Sequence, residues 1–173
     1  MFIENINQVL TYLTLFSHLL IVLFLIALLN KKTSNFILSI IKTKGLLFVF
    51  LLSLLATMGS LFYSEIAGYD PCKLCWYQRI FIYPQVILLG IAYFKNEKTI
   101  VKYSLTMAII GLTISIYHNY IYYRSIQSAF CGISIETSCT TRYIFELGYI
   151  TIPLMALTAL VYTIVVLAIY RKQ

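Results

Sequence analysis

Five apolar stretches, each long enough to cross a lipid bilayer, leave this chain of 173 residues few ways to fold. They run approximately from Leu10 to Leu29, Leu46 to Ser64, Trp76 to Phe94, Ser104 to Tyr123 and Thr151 to Tyr170. A spanning helix needs about 20 such residues. Inside lipid an unpaired backbone N–H or C=O costs several kcal/mol, so each stretch is driven into helix. Composition agrees, because 61% of the residues are hydrophobic and 11% charged, whereas about a quarter of a soluble domain is charged. A small body cannot hide that much apolar surface from water. The expected fold class is all-α, a polytopic membrane helix bundle.

The net charge of +7 is distributed as topology, and no nucleic-acid partner is expected. Lys31, Lys32, Lys42 and Lys44 lie between the first two spans, Lys95, Lys98 and Lys102 between the third and fourth, and Arg171 and Lys172 after the fifth. All fall on one side of a five-span arrangement, and short cytoplasmic loops collect Lys and Arg. The N-terminus is therefore expected outside. Glu4, Glu65, Asp70, Glu136 and Glu146 fall on the other side. A cleaved signal peptide would need a basic start and a shorter apolar core. Here Glu4 precedes a long core with no cation before it, so a retained span is expected. The segment from Asn35 to Thr43 is too short to span and is expected to lie along the inner interface. No internal repeat or soluble linker is present.

This orientation puts all four cysteines on the extracytoplasmic side, where disulfides form and persist. In Asp70-Pro71-Cys72-Lys73-Leu74-Cys75 an acid followed by proline reads as a helix start, with Asp70 as cap and Pro71 at the first helical position. Both sulfurs then sit in the first turns of the third span. The free N–H groups and dipole there stabilise a thiolate, and Lys73 adds positive charge. Gln78 and Arg79 follow Cys75 by three and four positions, on the same helical face. An Arg at the membrane boundary is costly without an anionic or strongly polar partner, and a thiolate or a quinone carbonyl would serve.

Cys131 and Cys139 flank the polar run Gly132 to Ser138, which can close as a disulfide or open to meet a partner protein. A structural staple is the blander alternative. Zinc on four cysteines is disfavoured because the second pair lacks close ligand spacing, and no metal is expected. Haem attachment fails because Trp76 stands where a His is required.

These residues resemble a known family. Pro71-Cys72-Lys73-Leu74-Cys75-Trp76-Tyr77-Gln78-Arg79, followed by Ile80-Phe81-Ile82-Tyr83-Pro84, is similar to the signature of the disulfide bond formation protein B family (DsbB), most closely its short Gram-positive-type members. Ser115-Ile116-Tyr117-His118, Cys139-Thr140-Thr141-Arg142-Tyr143 and Gly148-Tyr149-Ile150-Thr151-Ile152-Pro153 continue the match. The resemblance implies a four-helix redox core over residues 46–173, preceded over 1–45 by an extra transmembrane helix and a cytoplasmic loop. It also implies a bacterial cell-membrane enzyme passing electrons from an extracytoplasmic thioredoxin-fold thiol oxidase (DsbA/BdbD-like) to membrane quinone, menaquinone or ubiquinone. Cys131 would be attacked by the partner, with Cys139 as its pair. Cys72 would exchange with that pair, Cys75 would lie against the quinone, and Arg79, with Gln78 and His118, would bind it.

Blander assignments stand beside these. His118 could satisfy tyrosine or backbone partners near the interface, and His18 is expected to make a buried polar contact between helices. Pro84 is expected to kink the third span. A vitamin K epoxide reductase-like enzyme would place Cys-x-x-Cys after a separate upstream pair, opposite to the order here. A non-catalytic scaffold braced by two disulfides and a metal-binding sensor are the readings outside the enzyme class.

Overall fold

The computed structural model describes residues 2–126, 131 and 138–171. Of the run between the second cysteine pair only Ser138 is described, and Glu136 and Lys172 lie outside the described residues. The chain forms α1 (Phe2–Leu28), α2 (Lys31–Leu61), α3 (Lys73–Lys95), α4 (Lys98–Arg124) and α5 (Ile152–Tyr170). All five are long and apolar enough to cross a membrane, as their composition predicts.

The segment from Asn35 to Thr43 departs from expectation. It is the first part of α2, which continues through Leu61 and then widens into a π-helical turn, Phe62–Ile66. No proline interrupts this stretch, and extending an existing helix gains one hydrogen bond per residue fixed. Gly45 does not break it either. A Cβ there would stand 2.9 Å from Val166 Cγ1, so the glycine lets α2 approach α5 closely.

Four helices close into a ring in which α2 packs on α3 and α5, and α4 packs on α3 and α5. Its interior is apolar at the end formed by Leu46, Val49, Leu89, Ala92, Val101 and Leu167. Ile82, Ala108 and Leu160 fill the middle. Gly111 brings α3, α4 and α5 together there, since a Cβ would stand 2.9 Å from Phe81 Cβ. At the opposite end Cys72, Leu74, Ile121, Cys131 and Cys139 pack in one cluster. By contrast, α1 lies outside the ring and packs mainly on α2 and α5.

The described residues ahead of α5, and the start of α5 itself, are held to α4 by specific bonds. Asn119 Nδ2 donates to the carbonyls of Ser115 and Pro153, at 2.8 and 3.0 Å. Tyr122 donates to the Ile144 carbonyl at 3.2 Å, and Tyr123 to that of Tyr149. A bridge between Glu146 and Ile150 closes a tight turn in which Gly148 adopts φ +77°, a left-handed conformation suited to glycine. Thr151 then caps α5, its hydroxyl accepting from the Leu154 N–H at 3.2 Å.

Candidate functional site

The cysteine end is organised by the start of α3. The helix begins two residues later than the Asp-Pro signal suggests, and its cap is Cys72. Its sulfur accepts a hydrogen bond from the Cys75 N–H at 3.3 Å, in the place where a capping oxygen would normally sit. Negative charge on Cys72 thus meets the helix N-terminus directly. Pro71 remains just outside the helix.

Around this sulfur the structure gathers residues that the sequence spreads over two helices. Cys72 Sγ lies 2.9 Å from Cys75 Sγ and 3.7 Å from His118 Nε2. His118, only 1% exposed, turns its Nδ1 to Gln78 Oε1 at 3.3 Å, and Gln78 Nε2 donates to Ser115 Oγ at 2.8 Å. This order has a chemical consequence. The Gln78 amide spends its N–H on Ser115 and offers its oxygen to His118, so Nδ1 carries the imidazole hydrogen. Nε2 is left to face Cys72, taking the thiol proton when the ring is neutral and donating to the thiolate once the ring is charged. The Cys72 thiol, which precedes the spanning segment, is held well below its ordinary value, to about 4. The Cys75 thiol contributes most through its hydrogen bond, and His118 adds a hydrogen bond and charge, while burial opposes both.

Arg79 sits one turn below Cys75. Its Nε donates to Ser60 Oγ at 3.1 Å and its NH2 to the Ser60 carbonyl at 3.2 Å. Tyr83 also donates to Ser60 Oγ, at 3.0 Å. The guanidinium carbon lies 5.1 Å from the Trp76 ring centre and 5.9 Å from that of Tyr83. The polar partner demanded by a boundary arginine is therefore supplied by α2, together with two aromatic faces.

Cys131 and Cys139 form a disulfide, and both are buried in the cluster that contains Cys72. The polar run between them allows either a closed disulfide or an open pair. The structure shows it closed, with both sulfurs packed against the head of α3.

Next to these groups lies a cavity of about 420 Å³. Cys72, Cys75, Gln78, Arg79, His118 and Cys139 all line it, on otherwise mainly apolar walls. Tyr63, Tyr69 and Tyr143 line it too, stacked with ring centres 5.7 and 4.6 Å apart. The buried Tyr63 hydroxyl has no hydrogen-bond partner among the described residues. Sequence reasoning did not find Ser60, Ser115 or the tyrosine stack. Ser115 lies inside one of the family motifs, and the cost of Arg79 called for a partner, but no local pattern identifies Ser60.

A ring of spanning helices with a charge-stabilised Cys-x-x-Cys at one helix head, packed against a second cysteine pair, defines a membrane disulfide oxidoreductase. The family model described as "Disulfide bond formation protein DsbB" matches residues 42–170, and the chain belongs to that family. Among curated relatives it is 44% identical over 124 residues to "Disulfide bond formation protein C" of Bacillus subtilis, covering 70% of this chain and 88% of the relative. It is 49% identical over 105 residues to "Probable disulfide formation protein C 1" of Bacillus anthracis, covering 61% and 76%. It is 41% identical over 147 residues to "Probable disulfide formation protein" of Oceanobacillus iheyensis, covering 84% and 95%. No solved structure matches the chain.

Proposed function

We propose that the chain is a thiol:quinone oxidoreductase of the bacterial cell membrane, with residues 46–173 as its redox core and both cysteine pairs on the extracytoplasmic side. It re-oxidises a thioredoxin-fold thiol oxidase and so supports disulfide formation in exported proteins. The observation that carries this reading is the placement of Cys72, Cys75, His118 and Arg79 on one apolar cavity. Its volume of about 420 Å³ falls among small-molecule sites of roughly 300 to 1,000 Å³.

The steps balance as two exchanges and one transfer. A partner thiolate attacks Cys131, the Cys131–Cys139 bond breaks, and a mixed disulfide forms. The partner's second thiol resolves it, leaving the partner oxidised and both loop cysteines reduced. Cys131 is buried, so this attack requires it to leave its cluster. The loop dithiol then reduces a Cys72–Cys75 disulfide in the same manner, and two electrons come to rest on α3. Cys72 gives its proton to His118 Nε2, whose orientation Gln78 holds. Cys75 faces the cavity, and Arg79, fixed on Ser60, stabilises negative charge that develops there. When bound, a quinone supplies the two-electron, two-proton sink, and the Cys72–Cys75 bond re-forms as the electrons leave. The donors fit such a ring: a guanidinium, a tyrosine hydroxyl in need of a partner, and apolar walls.

Quinone reduction by purified protein in detergent, driven by a reduced thioredoxin-fold donor, tests the reading. Cys75→Ser and Cys131→Ser should each abolish turnover. If the wild type reduces no quinone while both pairs resist mild reductant, the non-catalytic scaffold replaces it.

One observation favours a second reading. The donor atoms of Cys72, Cys75 and His118 all lie within 4.8 Å of one another, close enough to hold a soft divalent cation on three ligands. Equimolar zinc retained by the reduced protein through dialysis would support a metal site. Zinc-free protein that reduces quinone would dismiss it.

A further inference from the structure

The matched family region begins at residue 42, so α1 lies wholly outside it. Helix α1 is not needed to complete the four-helix ring, and it packs on that ring mainly through α2 and α5. Its polar contacts are nevertheless specific. His18 Nε2 pairs with Thr158 Oγ1 at 2.9 Å and His18 Nδ1 with the Tyr149 hydroxyl at 3.3 Å, while Tyr162 donates to the Ser17 carbonyl. These bonds seat α1 beside the redox cavity. Leu13, Thr14, Phe16, Ser17 and Leu20 of α1 line the same cavity as Cys75 and Arg79. On α2, Gly59 lines it as well, and a Cβ there would meet no atom within 4 Å.

Resting on the quinone reading above, we propose that α1 forms the side wall of the acceptor site and that the acceptor's isoprenoid tail lies inside the protein, between α1 and α2. The polar groups of the cavity, Arg79 and the cysteines, suit the ring, whereas the α1 contribution is mostly apolar and suits only a hydrocarbon. Gly59 leaves the groove open where a larger residue would fill it. The bonds made by His18 and Ser17 hold α1 in place without a tightly packed helix interface. The helix therefore confers a preference for tailed acceptors.

The test compares two quinones with the same ring, one carrying an isoprenoid tail and one without, in wild type and in Thr14→Phe, Ser17→Phe and Gly59→Leu proteins. The ratio of KM for the tailed to the tailless acceptor should rise about tenfold in each variant, equivalent to roughly 1.4 kcal/mol. Gly59→Leu is the variant that keeps the fold safe, because its Cβ meets open space. Single-turnover exchange with the reduced donor verifies that each variant is folded. An unchanged ratio in folded variants overturns the proposal. If the wild type reduces neither quinone, the functional reading fails by itself. Binding then decides the α1 proposal through quenching of Trp76, the single tryptophan, which Arg79 stacks against. Tail-dependent quenching weakened by the variants upholds it, and quenching indifferent to the tail or to the variants overturns it.

Discussion

Two glutamines of α3 each face a serine of α4, and they end in different places. Gln85 donates to the Ser104 carbonyl at 3.1 Å, and the Ser104 hydroxyl donates back to Gln85 Oε1, so the pair closes on itself deep in the bundle. Gln78 spends its N–H on Ser115 and turns its oxygen to His118, which reaches Cys72. Both pairs satisfy buried polar groups between spanning helices, where leaving them unpaired is costly. One ends as glue, while the other passes an orientation on to a reactive sulfur. The residue types alone do not separate the two cases. What does is whether a further donor or acceptor lies within reach of the amide.

Removing the groups that hold the Cys72 thiolate should have the largest effect. A depressed thiol value means the thiolate persists as pH falls, so wild-type Cys72 should react with an alkylating reagent at a level rate until pH nears about 4 and lose reactivity below it. Cys75→Ala removes the strongest of the bonds that hold the thiolate, and His118→Leu the next. Each should raise the midpoint enough that alkylation at about pH 3, below both midpoints, slows about tenfold, with the Cys75 variant moving further. A midpoint unchanged in His118→Leu would show that the imidazole does not act on the sulfur. Arg79→Lys comes next. It keeps the charge but loses the paired donation to Ser60 and the flat stacking surface, so quinone KM should rise while donor exchange stays at the wild-type rate.

Smaller effects separate the glutamines themselves. Gln78→Leu leaves the imidazole hydrogen unsupported, and a loss of about tenfold in Cys72 alkylation rate at low pH is expected, by analogy with partners that orient metal-bound histidines. Gln85→Leu should leave that rate unchanged and cost about 0.6 kcal/mol of stability, read as a shift in the detergent unfolding midpoint. Were Gln85→Leu to slow alkylation as much as Gln78→Leu, the distinction between glue and relay would collapse.

The candidate site shows how far a local pattern reaches. Cys72, Cys75, Cys131 and Cys139 are legible because their chemistry is rare and their spacing local. Gln78 and Arg79 follow from helical periodicity once the start of α3 is placed. Their company is not legible in the same way. The sequence reading directs Gln78 and His118 to a quinone, and the structure adds that His118 faces Cys72 while Gln78 holds His118, because the partner of an α3 side chain depends on how α4 is rotated beside it. Ser60 holds Arg79 from α2, 19 positions away, and nothing near either residue announces the pair. The cap moved from Asp70 to Cys72 because sulfur can accept the free N–H, a competition that a preference for Asp does not resolve.

Apolar run length determined that the chain makes spanning helices, since lipid offers the backbone no other partners. Cation placement and cysteine spacing narrowed its chemistry. These are local or additive properties, and they survive without coordinates. Tertiary structure alone decided that four helices form the ring while α1 stands outside it, that both cysteine pairs meet at one end, and that a cavity opens beside them. Those outcomes depend on side-chain shape across helices that are equally apolar on paper, where close approach at Gly45 and Gly111 and a few buried polar bonds select one packing among many.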